Sequence, residues 1–233
     1  MPGHAELRLA VVIPAFQAAA TVGGVVVAAR RAAPGARVYV VDDGSTDCTG
    51  GASQAAGATV VSHPRNRGKG VALATGIARA LTDGAEVVVT LDADGQHPPD
   101  AIARLAAPVA AGEADLVLGA RARTGAMPLG RRCTNWLSAA LASRVGRQAV
   151  PDAQTGFRAF RRRVAETIRP AERRYDYEAA FLLAVLAAGF RVRSVPVPTI
   201  YDGTASHFRH WGDTWRLARV FARYGPQILF GAR

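Results

Sequence analysis

Some features are scarce or missing in this sequence of 233 residues, and each absence excludes a class of protein. The longest apolar run, Ala179 to Ala188, has 10 residues and is too short to cross a bilayer. No charged segment followed by an apolar one opens the chain, so we predict no secretory signal peptide. Cys48 and Cys133 lie far apart and lack neighbouring metal ligands, which predicts free thiols in a cytoplasmic protein.

Lysine is scarcer still, and the basic charge is unevenly distributed. Lys69 is the only lysine among 29 basic residues; the others are arginines. Residues 1–120 contain 9 basic and 11 acidic side chains, a net charge of −2, whereas residues 121–233 contain 20 and 7, a net charge of +13. The later half therefore predicts an anionic partner: phosphate groups, an acidic membrane surface or nucleic acid.

Apolar strands alternate with helices across the first 120 residues. β-Branched and apolar runs predict strands at residues 9–13, 37–41, 58–61, 86–90 and 115–119. Helices are predicted at residues 18–32, 68–81 and 99–111. This spacing is typical of βαβ units, so we predict an α/β fold with a mostly parallel sheet flanked by helices. Because no linker or internal repeat interrupts the chain, residues 1–233 are predicted to form one domain.

Beyond residue 121 the pattern is looser. Helices are predicted at residues 131–145 and 175–188, and a strand at residues 190–197. The last predicted helix, at residues 206–224, is amphipathic, with its aromatic side chains and its arginines on different faces. Such a helix could lie in a membrane interface or pack its aromatic face on the protein core.

Two carboxylates directly follow the strand predicted at residues 86–90. Asp92 and Asp94 can leave the sheet together and bind one divalent cation. Oxygen ligands of this kind suit Mg²⁺ or Mn²⁺ that also contacts a diphosphate. An isolated D-x-D is more often an ordinary acidic turn, so its interpretation depends on the loops that accompany it.

Three further loops follow predicted strands, at the end of the sheet where open α/β proteins bind ligands. Asp42 or Asp43 can accept hydrogen bonds from a nucleotide base or ribose. Residues 65–70, which include Lys69, are basic and glycine-flanked at a helix start, a setting suited to phosphate. Walker A spacing is absent, and the lack of a G-x-G-x-x-G turn after the first strand counts against a dinucleotide-binding domain.

Together these segments resemble the ordered motifs of family 2 glycosyltransferases, which have the GT-A (Rossmann-like) fold. The similarity is greatest to the dolichol-phosphate mannosyltransferase-like, or polyprenyl-phosphate glycosyltransferase, branch, and it extends from residue 9 to residue 223. The matching segments are Val12-Ile13-Pro14-Ala15-Phe16, Val41-Asp42-Asp43-Gly44-Ser45-Thr46-Asp47, Asn66-Arg67-Gly68-Lys69-Gly70, Asp92-Ala93-Asp94-Gly95-Gln96-His97-Pro98, Gly119-Ala120-Arg121, Gln154-Thr155-Gly156-Phe157-Arg158 and Val195-Pro196-Val197.

The resemblance implies roles at matching positions. The residues implied in nucleotide binding are Pro14, Ala15, Phe16, Asp42, Asp43, Lys69, Asp92 and Ala93. A Mg²⁺ or Mn²⁺ ion would be held by Asp94 with Gln96, and by Asp92. The residues implied in catalysis are Asp92, Asp94 and Arg121. The residues implied in contacting the acceptor or a phosphate are Arg121, Arg131, Ser206 and His207.

The sequence departs from the family pattern at two places. The usual P-x-[YF]-N-E reads Pro14-Ala15-Phe16-Gln17-Ala18, so the acidic nucleotide contact is missing and the bound base is not specified. His207 stands where a lysine is usual, which would make this phosphate contact depend on pH.

The resemblance implies an inverting, metal-dependent transfer of mannose or glucose from GDP-mannose or UDP-glucose to a polyprenyl phosphate. Such an acceptor is already anionic and needs no general base. A hydroxyl acceptor would need one, for which Asp152, Asp176 and Glu178 are candidates, although Glu178 is more typical of a helix-surface or capping carboxylate. The alternatives are transfer to that other acceptor or a basic, non-catalytic protein that binds nucleic acid or membrane.

The expected partners are a nucleotide-sugar donor, a polyprenyl-phosphate acceptor and an anionic membrane surface, and no nucleic acid is expected. Residues 1–120 are predicted to bind the donor and residues 121–233 the acceptor. Arg161 to Arg163, with Arg173 and Arg174, are expected to face solvent or lipid headgroups. The predicted location is the cytoplasmic face of a membrane, with peripheral attachment.

Overall fold

The computed structural model describes residues 7–121, 138–140, 142–144, 146–174 and 176–198. The strands are β1 (Leu9–Ala15), β2 (Arg37–Asp42), β3 (Thr59–Ser62), β4 (Val87–Thr90), β5 (Leu116–Arg121), β6 (Arg158–Arg161) and β7 (Val192–Val197). The helices are α1 (Val22–Ala32), α2 (Thr49–Ala55), α3 (Lys69–Thr82), α4 (Ile102–Ala110), α5 (Arg162–Thr167) and α6 (Asp176–Ala187), with a 3₁₀ turn at Pro99–Ala101. Residues 138–140 and 142–144 are also helical, within the helix predicted at residues 131–145.

The seven strands form one sheet in the order β3-β2-β1-β4-β6-β5-β7. Only β6 runs antiparallel to its neighbours, β4 and β5, among the strands described. The predicted mostly parallel α/β sheet flanked by helices is therefore confirmed. β6 was not predicted, because a four-residue segment that begins and ends with arginine lacks the apolar run of a buried strand.

Both faces of the sheet are covered, as a parallel sheet with nearly continuous apolar strands requires. Val12 of β1 packs in a cluster with side chains of α3 and α6, and its neighbours Val11 and Ile13 pack with α1 and α4 on the other face. Full burial of a side chain of this size contributes about 1.5–3 kcal/mol. The two clusters hold the helices, and hence the connecting loops, at fixed positions on the sheet.

Helix α6 is apolar on nearly every side, which is typical of a helix buried in a core. Its buried residues include Glu178 in the first turn. A carboxylate buried at this position needs a cationic or hydrogen-bonding partner. No helix within the described residues is long and apolar enough to cross a membrane.

The arginines at the β6–α5 junction lie at the amino ends of the parallel strands, since Arg161 pairs with Val87 in the register of the sheet. Arg161 forms an ion pair with Asp115 at 3.3 Å, and Arg162 donates hydrogen bonds to two backbone carbonyls. The expectation that all three arginines face solvent or lipid is therefore wrong for these two, which are half-buried. Arg163 is exposed.

Two predicted elements cannot be compared with the structure. The amphipathic helix at residues 206–224 lies outside the described residues, as does the first part of the helix predicted at residues 131–145.

Candidate active site

The loops singled out in the sequence meet at one edge of the sheet, because β1, β2, β3 and β4 run parallel and end there. The amide of Asp43 donates to the carbonyl of Ala15 at 2.8 Å, and the amide of Leu91 donates to the carbonyl of Val12 at 3.0 Å. We call the set of loops formed by residues 15–18, 42–47, 63–70 and 91–97 the carboxyl edge. Open α/β sheets bind their ligands at such an edge.

The residues predicted to contact the nucleoside differ in exposure. Pro14 and Ala15 are buried within β1, whereas 46% of Phe16 is exposed. The exposed ring offers an apolar face on which a planar base could stack. Asp42 is largely buried, and its Oδ1 accepts a hydrogen bond from the amide of Ser45 at 3.0 Å.

Gln17, which departs from the family pattern, fastens two of these loops together. Its Nε2 donates to Oγ1 of Thr46 at 2.8 Å, and its Oε1 accepts from the amides of Thr46 and Asp47. The Gln17 amide donates to Oγ of Ser45 at 3.0 Å. The glutamine thus gives the loop after β1 and the loop after β2 a common hydrogen-bond network.

The carboxylate of Asp43 contacts other groups of the protein. It accepts hydrogen bonds from the amides of Arg67 and Gly68, and its Oδ1 lies 2.6 Å from Nδ1 of His63. The amide of Gly70, the second residue of α3, donates to the carbonyl of Arg173. The amides of Arg67, Gly68 and Gly70 are therefore used within the chain, and binding of a phosphate by the basic segment at residues 65–70 stays a prediction.

Lys69 lies between two carboxylates. Its Nζ is 2.7 Å from Oδ1 of Asp92 and 2.6 Å from Oε1 of Glu178, and all three side chains are mostly buried. Burial acts to lower the pKa of Lys69, but the two carboxylates outweigh it and raise that pKa above its ordinary value. Lys69 was predicted to meet a nucleotide phosphate; in this structure it meets carboxylates of the chain.

Glu178 is the main residue whose role the sequence reasoning missed. It was a candidate base, more typical of a helix-surface or capping carboxylate, and it lies in the first turn of α6, yet only 6% of it is exposed. The available signal was its position: a carboxylate at the start of the longest apolar run has no solvent to face and requires a cation. The single lysine, Lys69, was the second indication, since it is the cation that pairs with Glu178.

Asp92 is held in place from several sides. Burial acts to raise its pKa, but Lys69 and the nearby His97 outweigh this, so the pKa of Asp92 lies below its ordinary value. A Cβ added at Gly156 would lie 2.7 and 2.8 Å from the two carboxylate oxygens of Asp92, closer than van der Waals contact allows. Only glycine at this position admits the carboxylate where it stands.

Gly156 is itself fixed by buried hydrogen bonds. Its carbonyl accepts from Oγ1 of Thr90 at 2.7 Å. Arg158 is 3% exposed, and its guanidinium donates to the carbonyls of Ala153, Thr155 and Glu178. These bonds connect the loop that contains Gly156 to β4 and to the first turn of α6.

Asp94 differs from Asp92 in having no ion-pair partner within the described part of the chain. It is exposed, and its Oδ1 accepts from the amide of Gln96 at 3.0 Å. Partial desolvation and the nearby Asp92 carboxylate raise the pKa of Asp94. The imidazole of His97 is buried beside this loop, with Nε2 3.9 Å from Oδ2 of Asp92, and burial lowers its pKa.

These residues fit a divalent cation that is shared with a substrate. The described residues contain no group of three His, Cys, Asp or Glu side chains placed to hold a metal alone. Mg²⁺ sites of enzymes that bind phosphates typically use one or two carboxylates and take further oxygens from the substrate. Asp94, Gln96 and Asp92 match that donor set, because they supply two carboxylates and an amide oxygen from one loop.

Arg121 and Asp152 form a bidentate ion pair. Nε and Nη2 of Arg121 lie 2.7 and 3.2 Å from the carboxylate oxygens of Asp152, which is almost fully buried. Burial acts to raise the pKa of Asp152, but the guanidinium outweighs it and lowers that pKa. Asp152, a candidate base in the sequence analysis, is thus held as the ionised partner of Arg121. The other predicted phosphate contacts, Arg131, Ser206 and His207, lie outside the described residues.

The close approach of Asp92 to Gly156 predicts the effect of one added methyl group. We expect Gly156→Ala to displace the Asp92 carboxylate and to weaken Mn²⁺ binding in the presence of a nucleoside diphosphate by roughly 10- to 100-fold. Isothermal titration calorimetry measures this directly. Gly24→Ala on α1, where an added Cβ meets nothing within 4 Å, is the control. Unchanged affinity in Gly156→Ala would show that this contact does not position Asp92.

Comparison with known proteins identifies the family. The model of glycosyl transferase family 2 matches residues 10–169. A UDP-N-acetylglucosamine–dolichyl-phosphate N-acetylglucosaminyltransferase of Methanococcus voltae is 32% identical over 147 residues, 60% of this chain and 59% of that protein. The polyprenol monophosphomannose synthase of Mycolicibacterium smegmatis is 31% identical over 206 residues, 82% of this chain and 76% of that protein.

A solved structure has the same architecture. Glucosyl-3-phosphoglycerate synthase from Mycobacterium tuberculosis, in complex with Mn²⁺, uridine diphosphate and phosphoglyceric acid, superposes with a TM-score of 0.73 at 26% identity, over 95% of this chain and 80% of that one. The same enzyme was also crystallised with Mg²⁺ and uridine diphosphate. The expected GT-A fold is confirmed. This chain belongs to glycosyl transferase family 2 and is a glycosyltransferase, similar to enzymes named for sugar transfer to polyprenyl phosphates.

Proposed function

We propose that this glycosyltransferase moves a hexose, mannose or glucose, from GDP-mannose or UDP-glucose to a polyprenyl phosphate, with inversion at the anomeric carbon. The observation that carries the proposal is the pair of unlike carboxylates at the carboxyl edge. Asp92 is locked in an ion pair, and Asp94 faces outward without one within the described residues. The relatives named for dolichyl or polyprenol acceptors support the acceptor class.

The donor would lie along the carboxyl edge. Phe16 would stack on the base, and Asp42 and Ala93 would line the nucleoside position. Asp94 and Gln96, with Asp92, would hold Mg²⁺ or Mn²⁺ against the diphosphate. When bound, such an ion neutralises the charge that develops on the leaving nucleoside diphosphate.

The acceptor phosphate can attack the anomeric carbon without a general base, because it is already an anion. This agrees with the state of the candidate bases. Asp152 is paired with Arg121 and Glu178 with Lys69, so neither carboxylate stands free to accept a proton. We therefore assign to Arg121, the last residue of β5, the role of orienting a phosphate. Asp152 would hold its guanidinium in place.

Transfer to a hydroxyl is the second candidate function. It is favoured by the likeness to an enzyme crystallised with phosphoglyceric acid, a small soluble molecule. Asp176, in the first turn of α6, would be the base, since it accepts a hydrogen bond only from the backbone amide of Arg174 among the contacts described.

An assay with labelled nucleotide sugars tests the proposal. With Mn²⁺ or Mg²⁺ and a short-chain polyprenyl phosphate, we expect a lipid-linked sugar that partitions into organic solvent. Asp94→Ala should lower the rate by at least about 100-fold while the protein stays folded, because charge stabilisation at the diphosphate is lost. The exposed Asp100→Ala is the control. Transfer to a soluble hydroxyl acceptor with no lipid-linked product would favour the second candidate.

We further propose that the protein attaches peripherally to the cytoplasmic face of an anionic membrane. Exposed Arg65 and Arg67 precede α3, and exposed Arg173 and Arg174 lie beside its start, where a Cβ at Gly68 would touch the carbonyl of Arg173. Four exposed arginines thus lie near the start of α3, at one part of the carboxyl edge, where they would attract a lipid-borne phosphate. No nucleic acid partner is proposed.

Vesicle binding tests this attachment. Near an anionic membrane each basic residue contributes about 1 kcal/mol. We therefore expect Arg173→Gln with Arg174→Gln to weaken co-sedimentation with phosphatidylglycerol-containing vesicles by roughly 10- to 30-fold. The matched control is Arg31→Gln with Arg163→Gln, two exposed arginines at the opposite edge. Equal losses in both pairs would mean that net charge, and not this surface, drives binding.

A further inference from the structure

The position of the single lysine is the least expected feature of the carboxyl edge. Arginine supplies every other basic side chain, yet a lysine ammonium lies between Asp92 and Glu178. An ammonium is a compact charge with three donors that can be shared by two carboxylates on different elements, whereas a guanidinium is a larger planar fork. The geometry of this site therefore calls for lysine.

Glu178 has a defined position and is almost fully buried. It is 6% exposed, its Oε1 contacts Lys69, and its backbone carbonyl accepts a hydrogen bond of 2.6 Å from Arg158. The catalytic roles set out above do not use its carboxylate. A buried charge destabilises the fold unless it is paired. We therefore look for the role of Glu178 in its contact with Lys69.

The net charge of Lys69, Asp92 and Glu178 indicates how Glu178 acts on Asp92. Lys69 and Asp92 alone form a neutral pair, in which the ammonium offsets the whole charge of Asp92. With Glu178 present the three groups carry one net negative charge, because the ammonium is shared between two carboxylates. The exposed Asp94 adds a second negative charge nearby. The part of the Asp92 charge that the shared ammonium does not offset adds to that of Asp94 in attracting a divalent cation, against the opposing charges of the nearby Arg121 and Arg158.

We propose that Glu178 is a positioning residue for the donor site. By sharing Lys69 it fixes the Asp92 carboxylate and leaves part of the negative charge of Asp92 available to a divalent cation. The inference rests on the proposed function, which places the cation and the nucleoside diphosphate at this edge. Glu178 touches neither of them in this account and acts only through Lys69.

Electron paramagnetic resonance of Mn²⁺, titrated with uridine or guanosine diphosphate and no acceptor, tests the inference without requiring activity. We expect Glu178→Gln, which keeps the shape and removes the charge, to weaken Mn²⁺ binding by roughly 10- to 100-fold. The matched control is Glu166→Gln, which breaks the ion pair with Arg162 at the opposite edge, and we expect its affinity to equal that of the wild-type protein. Unchanged affinity in a folded Glu178→Gln protein overturns the inference.

A second variant covers the case in which Glu178→Gln does not fold. Glu178→Asp keeps the charge and withdraws the carboxylate from Lys69 by one methylene, so we expect an intermediate loss of roughly 3-fold in Mn²⁺ affinity. No loss in Glu178→Asp then overturns the inference. If the wild-type protein binds no Mn²⁺ with either nucleotide, the proposed function fails as well. Wild-type binding that Glu178 variants leave unchanged overturns the inference alone.

Discussion

The carboxyl edge depends on one buried cation, the ammonium of Lys69 between Asp92 and Glu178. It joins the first residue of α3, the loop after β4 and the first turn of α6. Removing one partner of such a buried pair leaves an uncompensated charge, which typically costs 3–5 kcal/mol, so the three elements are constrained to stay together. Within the described residues the outward carboxylate of Asp94 has no ion-pair partner, in contrast to Asp92.

The surrounding contacts also hold the loops of the carboxyl edge in place. Gly156 leaves room for the Asp92 carboxylate, and Arg158 ties the loop of Gly156 to the carbonyl of Glu178. On the other side of the edge, Asp43 and Gln17 fasten the loops after β1, β2 and β3. Several polar groups at this edge are therefore used to hold loops, whereas the apolar ring of Phe16 and the carboxylate of Asp94 stay exposed for a ligand. That division is what a preorganised donor site requires.

The sequence predicted the five strands and three of the four α-helices of the first 120 residues, since local apolar patterns determine them, and it predicted which loops share an edge. It did not predict β6, whose buried Arg158 depends on carbonyls brought together only by the fold. It marked Lys69 as unusual but did not predict its contacts with Asp92 and Glu178, and it took Glu178 for a helix-surface or capping carboxylate. The partners of a buried charge lie far along the chain, and no local pattern encodes them. Asp43 was likewise assigned to a ligand because its amide donors belong to a distant loop.

The central claim is that the ion pair between Lys69 and Glu178 stabilises the protein and holds Asp92 in place. A double-mutant cycle tests this coupling most directly. The free energy of unfolding in urea is measured for the wild-type protein, Lys69→Met, Glu178→Gln and the double variant. The account predicts that the double variant loses less stability than the two single losses together, with a coupling energy above about 1 kcal/mol. Losses that add within about 0.5 kcal/mol would contradict it.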